Sequence, residues 1–230
     1  MIFGRDVKLL CTNGVKTLML DLLPEFERTW GKVGVVWGPA AGLMKDIDGG
    51  AQCDLVILTV EAIDDLIKRG LVIAGSRSDI ASSGIGIAVR KGAAKPDVST
   101  PEALKRALLA ARSVAHSKSG MSGLYFPTVL QRLRIADAMK GKMVIPQTPT
   151  PIGEVVARGD AELGVQQISE LMPVAGVDIV GPLPKELQRV TVFSAGVMLA
   201  AGELDAAKAL VKFIAERAPP LLAGKGLSPP

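Results

Sequence analysis

Aromatic side chains make up only 3% of this 230-residue sequence, and there is one tyrosine. Proteins that bind single-stranded nucleic acid use aromatic side chains as platforms for stacked bases. The formal net charge is +4, and the lysines and arginines are scattered rather than grouped into a basic stripe. We therefore predict no nucleic-acid partner and, at most, a mild attraction for a small anion.

Metal-binding residue types are equally scarce, with one histidine and two cysteines in the whole chain. Neither Cys11 nor Cys53 belongs to a CxxC motif, and His116 is not part of HExxH. The stretch "GIGIAV" reads as the inside of a strand, so it is not a phosphate-binding fingerprint. We predict no metal and no cofactor. Buried free thiols are the favoured interpretation of both cysteines, and a disulfide between them stays open.

Long apolar runs are also absent, and no stretch reaches the length of a membrane span. The opening residues "MIFGRDVKLLC" carry charges where a secretory leader needs an apolar core. We expect no membrane insertion and a cytoplasmic location for the chain as written, or a periplasmic one if a leader was removed. We also expect a monomer.

Short apolar runs alternate with amphipathic segments along most of the chain. "DLVILT" is apolar throughout, as expected for a parallel strand covered on both faces. This alternation predicts an α/β fold with two doubly wound units. The predicted strands are 7–11, 33–37, 54–59, 84–90, 113–117, 142–147, 161–167 and 190–200, and the predicted helices are 15–30, 40–50, 61–70, 99–111, 123–140, 151–159 and 203–216.

No linker rich in proline, glycine and serine separates the two units. The join is a continuous run, "SDIASSG", at residues 78–84. This indicates strands that cross between two lobes. A ligand is then expected in the crevice where the carboxyl ends of the strands meet.

Four loops that lead from a strand into a helix are small, rich in glycine or hydroxyl groups, and free of carboxylates. They are "TNGV" (12–15), "GPAAG" (38–42), "SKSGMSG" (117–123) and "QTPTPIG" (147–153). Helix N-termini offer unpaired N–H groups and a favourable dipole to an anion. The same residue types are also ordinary helix caps. The joint absence of acids favours an anion site without excluding four plain caps.

Several other polar residues are candidates for contact with such an anion. His116 closes an apolar strand, where it is either structural or a proton-transfer group. Lys118 and Arg77 could pair with a carboxylate, or be solvated surface charges. Gln166 and Gln167 end another strand, and because adjacent strand residues point to opposite faces, only one faces the crevice. No GxSxG elbow is present, so we predict no serine hydrolase.

The order of these elements resembles the type II periplasmic solute-binding proteins, especially their molybdate-binding branch. The resemblance covers nearly the whole chain and includes "VKLLCTNGVKTLMLDLLPEFERTWG" and "VVARGDAELGVQQISEL". It implies one lobe formed by 1–81 and 191–230, a second formed by 82–190, and hinges near 79–86 and 188–196. It also implies a possible ABC permease partner if the chain is exported. From the four loops and the end of the strand at 161–167, rather than from the resemblance, we predict these ligand-binding residues: Thr12, Asn13, Gly14, Pro39, Ala40, Ala41, Ser117, Ser119, Gly120, Ser122, Thr150 and Gln167.

The oxyanion-binding residues of the molybdate branch do not carry over to this chain. Where that branch has serines, this sequence has Asn13-Gly14 and Pro39-Ala40-Ala41, and Gln167 lies near the position of its tyrosine. A tetrahedral dianion would lose several charge-assisted hydrogen bonds of about 1.5–3 kcal/mol each. We therefore predict a small organic carboxylate as the ligand, rather than molybdate, sulfate or tungstate.

A second resemblance is to aconitate isomerases, which use a related scaffold as an enzyme without a cofactor. It implies that His116 carries the proton and that Ser119 and Ser122 orient carboxylates. We predict a solute-binding protein that holds a small organic anion between two α/β lobes. The alternatives are such an isomerase and a cytoplasmic sensor module.

Overall fold

The fold is described from a computed structural model, which covers residues 6–148 and 150–230. Residues 1–5 and Pro149 lie outside the described residues. The prediction about a leader in residues 1–11 therefore falls partly outside them, as does one residue of the loop 147–153.

The helices and strands follow one another in alternation along most of the chain. In chain order they are β1 (Val7–Thr12), α1 (Lys16–Trp30), β2 (Val33–Gly38), α2 (Ala40–Asp48), β3 (Leu55–Thr59), α3 (Val60–Lys68), β4 (Ser78–Ser83), β5 (Ile85–Arg90), α4 (Pro101–Ala110), β6 (Val114–His116), α5 (Met121–Arg132), α6 (Ala136–Met139), β7 (Met143–Val144), α7 (Ile152–Arg158), β8 (Leu163–Gln167), α8 (Ile168–Leu171), β9 (Val177–Pro182), β10 (Thr191–Val197) and α9 (Leu204–Arg217).

The chain divides into two compact units. Unit 1 contains the residues up to Ser82 together with Thr191–Pro230, and unit 2 contains Ser83–Val190. Each unit has a five-stranded sheet within the described residues. The predicted α/β class with two units is confirmed.

Unit 1 is built on a sheet of strand order β2-β1-β3-β10-β4. β1 pairs in parallel with β2 and with β3, whereas β10 pairs antiparallel with β3. One face of the sheet packs on α1 and α9 around Leu18, Phe26 and Leu210. The other face packs on α2 and α3 around Leu43 and Ile63. Because both faces are covered, the central strands are apolar along their whole length.

Unit 2 has the strand order β7-β6-β8-β5-β9. β6 is parallel to β7 and β8, and β5 is antiparallel to β8 and β9. Phe126 of α5 and Leu104 of α4 are buried in the core on one face, and Ile152 of α7 is buried on the other. The carboxyl ends of β6 and β8 therefore lie next to each other.

The sequence prediction differs from the structure at a few elements. β9 and the short α8 were not predicted, and the predicted strand 142–147 is reduced to the two residues of β7. β4 lies in the run 78–84, which was predicted only as part of a crossing between the two units. The predicted helix 123–140 is interrupted, because Arg134 has a left-handed conformation with φ 57° between α5 and α6. Cys11 and Cys53 are both buried and free.

A buried carboxylate joins distant segments of unit 1. One oxygen of Asp54 accepts the N–H of Lys8 at 2.8 Å, and the other accepts the N–H groups of Gly202 at 2.8 Å and Glu203 at 3.0 Å. These last two groups precede α9, where a negative charge also interacts favourably with the helix dipole. Asp54 thus connects β1, β3 and the start of the C-terminal helix.

We expect Asp54→Asn to lower the free energy of unfolding of unit 1 by about 2–4 kcal/mol, because an amide N–H would then face a backbone donor and the charge would be lost. Both tryptophans, Trp30 and Trp37, belong to unit 1, so urea unfolding followed by tryptophan fluorescence reports on this unit. Asp46→Asn, at an exposed position of α2, is the matched control. An equal midpoint for the two variants would contradict the role given to Asp54.

Candidate functional site

The turn between β6 and α5 carries a group of available hydrogen-bond donors. The first-turn N–H groups of Met121, Ser122 and Gly123 have no hydrogen-bond partner among the described residues. Lys118 and Ser119 are exposed beside them, and Ser122 is buried. Residues 117–123 include no acid. The turn can therefore bind a negatively charged group through N–H groups, a hydroxyl and an ammonium.

Glycines make this turn possible. A Cβ on Gly123 would lie 1.9 Å from the carbonyl oxygen of Ser117, which no side chain can occupy. A Cβ on Gly120 would lie 2.6 Å from the Ser117 hydroxyl, which accepts the N–H of Gly120 at 3.2 Å. Ser117 therefore shapes the turn from within, and the donors of α5 remain available.

His116 ends β6 immediately before this turn. Its side chain is buried, and its ring lies against Phe126 with centroids 5.6 Å apart. Nδ1 lies 3.0 Å from the carbonyl oxygen of Ser117. Because a carbonyl can only accept, Nδ1 carries the hydrogen, and in the neutral ring Nε2 holds the lone pair. Burial lowers the pKa of His116, although hydrogen bonds to the backbone of Ser117 and Gly123 oppose the shift.

Gln167 shares a sheet face with His116. His116 pairs in register with Val165, and residues two apart on a strand point to the same face. Gln167 is buried on that face, whereas Gln166 points toward α7. The side chains of Gln167 and His116 therefore lie on the same face of the sheet, and that of Gln166 lies on the other.

Gln166 connects two elements on the opposite face. Its Oε1 accepts the N–H of Ile152 at 3.0 Å, and its Nε2 donates to Glu170 Oε2 at 2.9 Å. Burial raises the pKa of the Glu170 carboxyl to about 7, and the hydrogen bond from Gln166 opposes this shift. Sequence analysis did not single out Glu170, since nothing in "VQQISEL" shows that the segment folds back on Gln166.

Glu170 is accompanied by a second polar group that the sequence did not reveal. The buried hydroxyl of Ser169 has no hydrogen-bond partner in the described part of the chain. The Ser169 N–H donates to the Ser83 hydroxyl at 3.3 Å. The end of β8 and the start of α8 therefore hold more polar groups than the sequence pattern predicts.

The loop before α7 has fewer unpaired hydrogen-bond donors than the sequence predicts. The first N–H of α7, that of Ile152, is already bound by Gln166. Thr150 is half-buried, and its hydroxyl lies 3.2 Å from that of Thr148. A Cβ on Gly153 would lie 2.7 Å from Val174. These contacts give the loop structural partners of its own.

Unit 1 presents a separate group of polar atoms at the end of β1. Thr12 is buried and Asn13 half-buried, and neither side chain has a hydrogen-bond partner within residues 6–148 and 150–230. The ring of Phe193 packs closely on Gly14. A Cβ at this position would lie 2.3 Å from the ring, so only glycine fits. Thr12 and Asn13 therefore supply the available polar side chains of this loop.

The neighbouring loop at the end of β2 supplies backbone donors. Pro39 caps α2, and its carbonyl oxygen accepts the N–H groups of Gly42 and Leu43. The N–H groups of Ala40 and Ala41 have no partner among the residues described. Thr12 pairs in register with Gly38, so the two loops of unit 1 lie side by side.

One charged candidate is corrected by the structure. Arg77 donates to Asp64 at 2.6 Å and to Asp79 at 3.0 Å, so this guanidinium already has two carboxylate partners. Asp79 also accepts the Ser194 hydroxyl at 2.7 Å. Arg77 is therefore a structural cation of unit 1.

Within unit 2, a side chain of the second predicted hinge (188–196) is hydrogen-bonded to the backbone of the first (79–86). Oε1 of Gln188 accepts the N–H of Ile85 at 2.8 Å, and Nε2 of Gln188 donates to the carbonyl oxygen of Ile85 at 2.9 Å. The side-chain amide thus pairs with the backbone in the way a neighbouring strand would. It holds the residues after Ser83 close to those before Thr191.

The described residues contain neither a membrane-spanning helix nor a metal-binding cluster. No helix in that part of the chain is both long and apolar enough to cross a membrane. Within the same residues, no three histidine, cysteine or acidic side chains are grouped as metal ligands.

Comparisons with known proteins define the class of this chain. The family model described as bacterial extracellular solute-binding protein matches residues 7–227. The chain belongs to this family, and the predicted class of solute-binding protein is confirmed.

Two curated relatives have different activities. An aconitate isomerase from a Pseudomonas species is 35% identical over 229 residues, which cover 96% of this chain and 86% of that protein. The molybdate-binding protein ModA of Azotobacter vinelandii is 29% identical over 157 residues, which cover 66% of this chain and 61% of ModA.

Solved structures show the same fold. The Azotobacter vinelandii periplasmic molybdate-binding protein has a TM-score of 0.80 at 19% identity, over 97% of this chain and 99% of that one. The sulfate-binding protein SubI from Mycobacterium tuberculosis has a TM-score of 0.75 at 19% identity, over 98% of this chain and 87% of SubI. At this level of identity the likeness concerns the fold alone.

The raised pKa of Glu170 leads to a pH-dependence of stability. Below its ordinary value of 4.5 the carboxyl is protonated in both the folded and the unfolded chain, and the stability is fully present. Between pH 4.5 and about 7 the unfolded chain releases the proton first, so stability falls as pH rises. Urea unfolding followed by circular dichroism at pH 5 and pH 8 measures this loss. Glu170→Gln removes the titration and should lose less stability over the same interval, whereas equal losses in both proteins would contradict the assignment.

Proposed function

We propose that this chain binds a small organic polycarboxylate. The observation that carries the proposal is the first turn of α5, where three N–H groups without partners among the described residues lie beside Lys118 and Ser119 in a segment without acids. Carboxylate oxygens accept several N–H groups at once, and a cation nearby adds to the interaction.

The loops of unit 1 support a carboxylate over a tetrahedral oxyanion. Thr12 and Asn13 provide one hydroxyl and one amide, and the Pro39-Ala40-Ala41 segment provides only backbone N–H groups. An organic ligand with several carboxylates spreads its charge over separated groups, so it needs fewer hydroxyl donors at each point. We include Ser119, Ser122 and Gln167 of unit 2 among the residues that contact it. In an exported form the protein would deliver this ligand to an ABC permease.

A second candidate function is isomerisation of an unsaturated polycarboxylate. Two observations favour it: the neutral His116 with its Nε2 lone pair, and the 35% identity to a protein named aconitate isomerase. In this reaction the base takes a proton from the methylene carbon next to the double bond. The electron pair shifts the double bond by one position, and the proton returns to the former vinyl carbon. One proton leaves and one returns, so no co-reactant is consumed. Exchange of the base-bound proton with heavy water places deuterium on the product.

Proton NMR of cis- and trans-aconitate in heavy water tests both functions with the wild-type protein. Stoichiometric protein should broaden or shift the ligand resonances, and Gly123→Ala should abolish this effect because its Cβ cannot fit beside Ser117. Gly141→Ala is the matched control in unit 2, since a Cβ there meets nothing within 4 Å. Circular dichroism checks that both variants fold. Unchanged ligand resonances with wild type across a panel of di- and tricarboxylates would contradict the binding proposal.

Catalytic amounts of protein test the isomerase directly. If the reaction occurs, the two aconitates interconvert with uptake of deuterium. His116→Gln should then slow turnover by about 10²–10⁴-fold, because the base is lost, while binding changes little. Ser119→Ala keeps the base and should weaken binding more than it slows turnover. Turnover that persists in His116→Gln would remove this histidine from the mechanism.

A further inference from the structure

The edge strand β2 has properties that the other sheet edges lack. Its sequence, VGVVWG, contains no charge and no proline over six residues. Natural proteins usually protect such an edge, because its free backbone groups are a template for another strand.

The other sheet edges in the described structure are shortened or covered. β7 has only two residues, and β9 contains Asp178 and ends at Pro182. β4 has a charged residue, and a bridge between Ser82 and Ser228 covers its end. β2 therefore differs from all three.

The direction of the backbone groups of β2 can be read from its pairing with β1. The N–H of Val7 donates to the carbonyl oxygen of Lys32 at 2.9 Å, so residues 32, 34 and 36 turn their backbone groups toward β1. Val33, Val35 and Trp37 consequently turn theirs outward. The Val33 N–H is bound by Glu27 at 2.9 Å. Those of Val35 and Trp37 have no partner among the described residues.

This pattern is self-complementary about a two-fold axis through Val36. In an antiparallel pair of two copies, Val35 of one lies opposite Trp37 of the other, and each such pair exchanges two hydrogen bonds. The pairing would stop at the next position, because Pro39 has no N–H and the Val33 N–H is occupied by Glu27. The two exposed Val36 side chains would meet at the axis.

Apolar groups flank this strand. Val36 is 53% exposed and Leu20 of α1 is 52% exposed. A cavity of about 340 Å³ between α1 and β2 includes Leu20, Pro24 and Trp37 in its lining. The carboxylates around it are paired within the chain, since Glu27 binds Lys32, Glu25 binds Arg217, and Asp21 binds Lys225. The ammonium of Lys16 lies 5.7 Å from the centroid of the Trp37 ring. A second copy would therefore bring apolar surface into contact without opposing like charges in the strand.

We propose that the chain forms a two-fold symmetric dimer in which the β2 strands of two copies pair antiparallel and join the two unit 1 sheets. The partner is a second copy of this chain, because the free donors and acceptors match their own two-fold image. The sequence predicts a monomer instead. The position of β2 at the edge of the sheet is seen only in the structure, because it depends on the order of the strands.

Light scattering after size exclusion tests the dimer with the full chain. At about 100 μM the wild type should have twice the single-chain mass of 24.0 kDa. Val36→Lys places two like charges at the axis, and Val35→Pro removes an outward N–H without affecting the bonds to β1. Both should raise the dissociation constant by at least about tenfold.

Leu124→Lys is the control, since Leu124 is an exposed apolar residue of unit 2. It should leave the dimer unchanged. Hydrogen exchange adds a local readout, because the amides of Val35 and Trp37 should become protected as the protein concentration rises. A monomeric wild type at about 100 μM, or a dimer that survives both Val36→Lys and Val35→Pro, would overturn the proposal. Another protein captured on this edge in place of a second copy would also overturn it.

Discussion

Unit 1 depends on a single carboxylate that is buried at the amino end of its sheet. Asp54 accepts N–H groups from residues that are 46, 148 and 149 positions away in the chain. Its own carbonyl oxygen also accepts the N–H of Met198 at 2.9 Å. A buried charge without such partners would be strongly unfavourable, so these segments must meet for the unit to form. The loops at the opposite ends of β1 and β2 are positioned by this arrangement.

The candidate site of unit 2 rests on a steric constraint instead of a charge. Gly123 lies so close to the carbonyl oxygen of Ser117 that only a hydrogen atom fits between them. That close approach sets the start of α5, leaves its first donors unsatisfied, and brings the Ser117 carbonyl oxygen to Nδ1 of His116. One turn thus determines both the anion-binding donors and the tautomer of the histidine.

Much of this fold follows from apolar spacing, because strands buried on both faces leave a clear signal. β1, β3 and α1 lie where the pattern predicts them. β4 has no apolar pattern of its own, because SDIASS is polar by composition, and it is buried beside β10 and the bridge between Ser82 and Ser228. The loops 12–15, 38–42 and 117–123 lie between a strand and a helix, as predicted. That they bind a ligand stays a prediction. The bonds of Gln166 to Ile152 and Glu170 were not, since they join residues whose proximity depends on tertiary packing.

The place of β10 in the first sheet has a consequence for synthesis of the chain. This strand lies between β3 and β4, although about a hundred residues separate it from β4 along the sequence. A ribosome therefore completes all of unit 2 while the sheet of unit 1 still lacks an interior strand. The unit that begins first is finished last, and during that interval the facing edges of β3 and β4 are without their native neighbour.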